Sequence, residues 1–131
     1  MKVPTAKHSL GNGKWEAGLV VPIGAGIPNT PFSIGATPEL DWAADGDGSG
    51  HHLAMTQVAS LGWAASHRLG ISAEFWGNWD LDPDGTKRRY SADGSIAYLV
   101  SNDLQIDAGA NFGLNRQTPD LELYAGIARR F

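Results

Sequence analysis

Apolar and polar residues alternate one for one along most of this chain, and a period of two belongs to an extended strand with unlike faces. From residue 14, Trp15, Ala17, Leu19, Val21 and Ile23 share one face, while Lys14, Glu16, Gly18 and Gly24 share the other. Phe32, Ile34, Ala36, Pro38, Leu40 and Trp42 likewise oppose Ser33, Gly35, Thr37, Glu39 and Asp41. Leu69, Ile71, Ala73, Phe75 and Trp79 oppose Ser72, Glu74, Asn78 and Asp80. Further on, Tyr90, Ala92, Ile96, Tyr98 and Val100 oppose Ser91, Asp93 and Ser95. Leu104, Ile106, Ala108, Ala110, Phe112 and Leu114 oppose Gln105, Asp107, Asn111 and Asn115. In these five segments the apolar face is expected to carry no charge.

Turn formers divide the chain into eight extended segments at residues 2–6, 14–26, 31–43, 52–65, 69–81, 88–100, 104–115 and 121–131. The connections at 28–30, 66–68 and 101–103 are tight, and those at 7–13, 45–50, 82–87 and 116–120 are longer and polar. Short turns at one end and longer loops at the other describe an all-β, antiparallel up-and-down transmembrane β-barrel of about eight strands. Residues 1–131 are expected to form a single outer-membrane β-barrel domain, or the C-terminal half of a larger barrel.

Hydropathy alone points elsewhere. The mean hydropathy is -0.23, and no apolar run approaches the roughly 20 residues of a membrane-spanning helix. A transmembrane strand, however, presents lipid with only every second residue. A soluble β-sandwich binding module also alternates, so the polar face has to decide. Here it is rich in Gly, Ser, Asn and Asp rather than in the long side chains of a solvated surface, as a crowded barrel interior requires. With Phe131 at the inner rim, Trp15, Trp42, Trp79, Tyr90 and Phe112 fall near the outer strand ends and Phe32, Trp63 and Tyr98 near the inner ends. Two such girdles are what two membrane interfaces select. The expected location is the bacterial outer membrane, with its lipid and lipopolysaccharide as partners.

With 10 basic and 14 acidic residues, a formal charge of -4, the chain has no field for nucleic acid. It has no cysteine, hence no disulfide and no thiolate site. Met1 and the residues after it lack the pattern of a secretory signal, so a mature or partial chain is expected.

The polar face supplies the candidate lumen residues Glu16, Glu39, Asp41, Glu74, Trp76, Asp80, Asp93, Asp107, Asn111, Glu122 and Arg130. Carboxylates outnumber the nearby bases Lys14, Arg89, His52 and Arg130, which suits either a path for polar or cationic solutes or an ion-pair network filling a narrow barrel. Asp45, Asp47, Ser49 and Gly50 match the first half of a calcium loop, as do Asp80, Asp82, Asp84 and Gly85, but Thr56 and Ser91 stand where each needs a glutamate. His51 and His52 are adjacent and so face opposite sides, and His8 and His67 fall on opposite rims. No metal and no cofactor are expected. Ser60, His52 and Asp41 could be drawn as a hydrolytic triad, yet no nucleophile elbow supports it, and no enzyme activity is expected.

Residues 104–131, the opening 2–6 with 10–14, and the 45–51 loop together resemble a family of bacterial outer-membrane barrels associated with transport in the meta-pathway of phenol degradation. The resemblance covers essentially the whole chain and implies passive uptake of small hydrophobic or aromatic solutes. Its members run to about twice this length, which implies that a preceding half, or self-association, completes the ring. The ending Tyr124, Gly126 and Phe131 is similar to the C-terminal signal read by the outer-membrane insertion machinery. Arg129 departs from that signal, at a depth where a charge costs about 0 to 1 kcal/mol and can snorkel to head groups. An eight-stranded barrel closed on itself would instead be filled by side chains and conduct nothing.

Overall fold

A computed structural model describes Lys2 and residues 13–131 of the chain. They form one antiparallel sheet of strands β1 (Ala17–Val20), β2 (Ile23–Gly26), β3 (Phe32–Ala44), β4 (His51–Ala64), β5 (Leu69–Asp80), β6 (Lys87–Ser101), β7 (Leu104–Gly113) and β8 (Leu121–Arg129). Neighbours in the sheet follow chain order from β3 to β8, while β1 and β2 both pair with β3. This is the expected up-and-down all-β architecture.

One detail differs from the expectation. The 14–26 segment is divided into β1 and β2 at Val21 and Pro22. Val20 opposite Glu39 and Ile23 opposite Ala36 leave two residues on each side, so the register runs through the break without slipping. The ladder lapses there because Pro22 and Pro38 have no N–H to give, although Val21 N still donates to Pro38 O at 3.0 Å. The 2–6 segment lies outside the described residues except for Lys2, which makes one antiparallel bridge to Glu16. Among the described residues the sheet does not close: β1 and β8 end the strand order without pairing to each other.

Local chemistry explains the tight turns. Between β2 and β3, Pro28 presets one corner, Asn29 takes the left-handed conformation at φ 59°, and Thr30 returns its N–H to Ile27 O at 3.2 Å. Ser66 Oγ accepts from the N–H groups of Arg68 (3.2 Å) and Leu69 (3.0 Å) between β4 and β5. Ser101 Oγ plays the same part for Asp103 at 3.3 Å between β6 and β7. The 45–50, 81–86 and 114–120 connections all lie at the other end of the sheet.

Opposed residues of an antiparallel pair share a face, so the registers extend the two-residue parity across the whole sheet. Ser33, Gly62, Ser72, Ser95, Gly109 and Tyr124 form one cross-strand row on the polar side, and Ile34, Leu61, Ala73 and Gly94 begin a row on the other. One residue breaks the expected freedom of the apolar face from charge: Arg88 stands opposite Trp79 there. It does so at the second residue of β6, one pair from the end of the sheet, a depth from which an arginine can snorkel outward.

Burial runs opposite to that of a soluble domain. Along β3 and β4, Glu39, Asp41, His52, Thr56 and Ser60 are the sheltered residues, while Leu40, Trp42, Leu53, Met55 and Leu61 are exposed. No large side chain is fully buried, and Ala54 alone makes up the buried apolar set among the described residues. Leu19, Ile23, Leu123 and Ile127 are 62 to 75% exposed, a density of open aliphatic surface that marks a contact face.

The aromatics on this open face gather at its two ends. Phe32 stacks on Trp63 at 6.1 Å by the short turns. By the long loops Tyr90 contacts both Phe75 (6.3 Å) and Trp79 (5.7 Å), and Trp42 stacks on His51 at 5.8 Å. Trp15 joins them through its carbonyl, which accepts from His51 Nε2 at 2.8 Å. Phe112 ends β7 at the loop side, opposite Leu121, and Tyr98 lies opposite Leu69 at the turn side.

Candidate functional site

Four of the candidate lumen residues fall in one line. Glu74 is opposite Asp93, Asp93 opposite Asn111, and Asn111 opposite Glu122, a polar row across β5 to β8. One residue pair nearer the loops, Trp76 faces Ser91 and Ser91 faces Gly113. The row places two carboxylates directly across from each other, an arrangement that costs about 0.2–1 kcal/mol unless something lies between them.

The 114–120 connection roofs this row. Leu114 N donates to Tyr90 O at 2.8 Å. Asn115 Nδ2 donates to Arg88 O at 2.6 Å, and Gln117 Oε1 accepts from Arg88 N at 2.6 Å. Thr118 Oγ1 accepts from Tyr90 N at 3.1 Å and donates to Asn115 Oδ1 at 2.8 Å. Side-chain amides and a hydroxyl thus pair the edge of β6 where β7 has ended, satisfying groups that would otherwise be left open. Gly113 makes this possible, because a Cβ there would collide with the carbonyl oxygen of Pro119.

Beneath the roof is a half-enclosed hollow of about 390 Å³ between Trp76, Arg89, Ser91, Asp93, Asn111, Thr118, Pro119 and Glu122. A second space of about 290 Å³ continues along the polar face past Ser72, Glu74, Ser95 and Tyr124, sharing Asp93 and Asn111 with the first. Asp93 Oδ2 takes a long 3.4 Å hydrogen bond from Ser91 Oγ, while its Oδ1 is buried with no hydrogen-bond partner. A buried acceptor left open is costly, and Asp93 lines the hollow together with the Trp76 indole. The arrangement can hold a small planar molecule against Trp76 while Asp93 accepts a hydrogen bond from it.

The remaining candidates lie elsewhere. Glu16 and Asp41 line a separate space of about 380 Å³ near β1, with Lys2 Nζ 2.9 Å from Glu16. Glu39 is opposite Thr56, and Asp107 is opposite Gly126. Asp80 sits by the loops with its Oδ1 2.8 Å from His52 Nε2. Arg130 lies past the end of β8, exposed, and pairs with Asp103 at 3.0 Å. Ser60 and His52 are eight residues apart along β4, about 26 Å, so the drawn triad does not assemble. Parity signalled Arg89 and Ser91, but nothing in the sequence signalled Thr118 and Pro119, which reach the hollow only because their loop folds back.

In the C-terminal strand Tyr124 projects to the polar side and covers Gly109, where a side chain would meet its phenol ring. Phe131 is fully exposed, with the Arg129 guanidinium 5.5 Å above its ring.

An up-and-down antiparallel sheet with sheltered polar residues, open aliphatic ones and a polar hollow under its last hairpin defines a barrel-type all-β protein. The chain belongs to the family described as Putative MetA-pathway of phenol degradation, whose model matches residues 1–131. No curated protein and no solved structure shows a significant match to it.

Proposed function

We propose that this chain is part or all of an outer-membrane β-barrel that passes small hydrophobic or aromatic solutes, hydroxylated ones above all, along its polar face. The observation that carries the reading is the inverted burial: aliphatic residues stand open where a bilayer would cover them, while along β3 and β4 carboxylates and hydroxyls are the sheltered groups. Membership of a phenol-degradation family supports the solute class. So does the chemistry of the hollow, in which Trp76 offers a stacking surface and the Asp93 carboxylate, with one oxygen unpaired, an acceptor for a phenolic O–H. The role is one of passage, without catalysis or cofactor.

The edges of β1 and β8 would take part in closing the ring, through the chain's own remaining residues, another copy or further strands. Outer-membrane lipid and lipopolysaccharide would contact the open face, and the exposed Phe131 would be read by the insertion machinery. A closed, non-conducting barrel is the second reading, favoured by the cross-strand bonds of Ser72 Oγ to Ser95 Oγ (2.6 Å) and Asn78 Nδ2 to Thr56 Oγ1 (3.0 Å), which begin to knit the polar face together.

The test is entry of phenol into liposomes carrying the full chain, after a heat-shifted gel band has established folding. Faster entry than in protein-free liposomes is expected, falling about tenfold in Trp76→Ala and Asp93→Asn if each removes roughly 1.4 kcal/mol from solute binding. Entry no faster than in empty liposomes would eliminate transport in favour of the filled barrel. Folding to a monodisperse state without detergent would eliminate the membrane reading itself.

A further inference from the structure

The long loops bring together residues that sequence spacing kept apart. Asp45 follows β3, His52 begins β4 and Asp82 follows β5, yet their ligand-capable atoms all lie within 4.8 Å of one another. One aspartate comes from each of the two calcium-like half-motifs, and the histidine was without any visible partner. The side chains of His52 and Asp45 are 7% and 10% exposed, well withdrawn from solvent for groups so near a loop.

We propose that Asp45, His52 and Asp82 form a binding site for a divalent transition-metal ion of the Zn²⁺ type, which fastens the 45–50 loop to the 81–86 loop. His52 Nδ1 lies 2.8 Å from Asp45 Oδ1 and its Nε2 lies 2.8 Å from Asp80 Oδ1. A neutral imidazole has one N–H and one lone pair, so two carboxylate contacts call for a second positive partner at the ring: either a second proton or a cation shared by Nδ1, Asp45 and Asp82. Ligands held about 2.0–2.2 Å from such an ion stand roughly 2.8–3.6 Å apart, so the observed cluster needs only a small contraction.

Asp80 provides the independent sign. Its Oδ1 is buried and is left without a hydrogen bond, although His52 Nε2 lies 2.8 Å away. With Nδ1 on a metal, Nε2 carries the proton, and a small rotation of the ring delivers it to this oxygen. That is the carboxylate–histidine–metal relay by which a ligating imidazole is held in orientation. One imidazole with two carboxylates favours Zn²⁺ or a neighbouring transition ion over Ca²⁺, which takes oxygen alone. The loops are already prepared for joining: Gly46 N donates to Asp82 Oδ2 at 2.9 Å, and Asp84 N donates to Asp82 Oδ1 at 2.9 Å. The N–H of Asp84, and then that of Gly46, hold the Asp82 carboxyl below the usual range.

The experiment is a titration of the folded full chain with ZnCl₂ and, separately, with CaCl₂, reading bound metal per chain and the melting temperature. One saturable Zn²⁺ and a raised melting temperature are expected, with Ca²⁺ at least about tenfold weaker. His52→Gln and Asp82→Asn should each weaken Zn²⁺ at least about tenfold, while Asp47→Asn, in the same loop but outside the cluster, leaves it unchanged. Asp82→Asn keeps an oxygen for Gly46 N–H, so it tests the site if His52→Gln does not fold. Absence of saturable Zn²⁺ binding, binding indifferent to both variants, or Ca²⁺ bound as tightly as Zn²⁺ would each overturn the proposal. None of these outcomes depends on whether the barrel conducts.

Discussion

Replacing Ile96 with arginine is expected to destabilise the chain by about 2–4 kcal/mol in a lipid bilayer, as a cation at mid-depth does on the outer face of a membrane barrel. Ile96 is suited to the question because it is mid-strand in β6, opposite Ala108 and Ile71, and already 52% exposed. On a sheet facing water the same substitution at a half-exposed site would fall within about 0.5 kcal/mol of the parent. Leu121→Arg supplies the depth control. Leu121 is equally open but begins β8 beside the long loops, where the cost should drop to about 0–1 kcal/mol. The measurement is reversible unfolding by guanidinium in lipid vesicles, followed by tryptophan fluorescence. Equal and negligible penalties at the two positions would be incompatible with a lipid-facing surface.

The second large effect concerns the roof of the hollow. Gly113→Ala is expected to cost about 1–3 kcal/mol, because the obstacles to its methyl group are backbone atoms of Thr118 and Pro119 rather than the movable end of a side chain. Relief requires the 114–120 loop to lift, and Tyr90 N then loses Thr118 Oγ1. Cleavage within residues 114–120 by a nonspecific protease should therefore accelerate, and solute entry should change with it. Gly70→Ala is the matched control on the same face of the sheet, since nothing lies within 4 Å of the added Cβ. It should be neutral or stabilise by up to about 1 kcal/mol. Similar melting temperatures and cleavage rates for the two variants would show that the loop is not seated on Gly113.

Both results bear on how the polar face works. Asp93 is held by Ser91 on one oxygen and left open on the other, so the hollow keeps an unsatisfied acceptor instead of pairing it with Arg89, which lines the same space. A filled barrel gains by satisfying such groups. A solute path would gain by leaving one unpaired.

Parity was legible in the residues alone, and with it the strand class, the antiparallel order and the membership of each face. A two-residue period survives any packing, because successive side chains of a strand must point to opposite sides. Thus Trp76, Asp93, Asn111 and Glu122 could be placed on the polar face before any register was known. Their meeting in one row could not, since it depends on how far each strand slides against the next. The lapse at Pro22 required the pairing as well: a proline is visible in sequence, but only the register sets Pro38 on the facing strand, where the ladder loses a second donor. Arg88 lies two residues before Tyr90, so parity alone places it on the apolar face, and its tolerance there comes from its position near the end of the sheet.

The loops mark the boundary between the two kinds of knowledge. Gln117, Thr118 and Pro119 read as an ordinary turn, and Asp45, His52 and Asp82 are separated by as many as 37 positions in the chain. Nothing periodic links them, so no local rule could have joined them. Alternation along each strand is a local property of the backbone, and the sequence by itself determined it. The roofed hollow and the cluster at the long-loop end are products of strand registers and returning loops, and only the tertiary structure decided them, because both depend on distances between segments that the chain visits at different times.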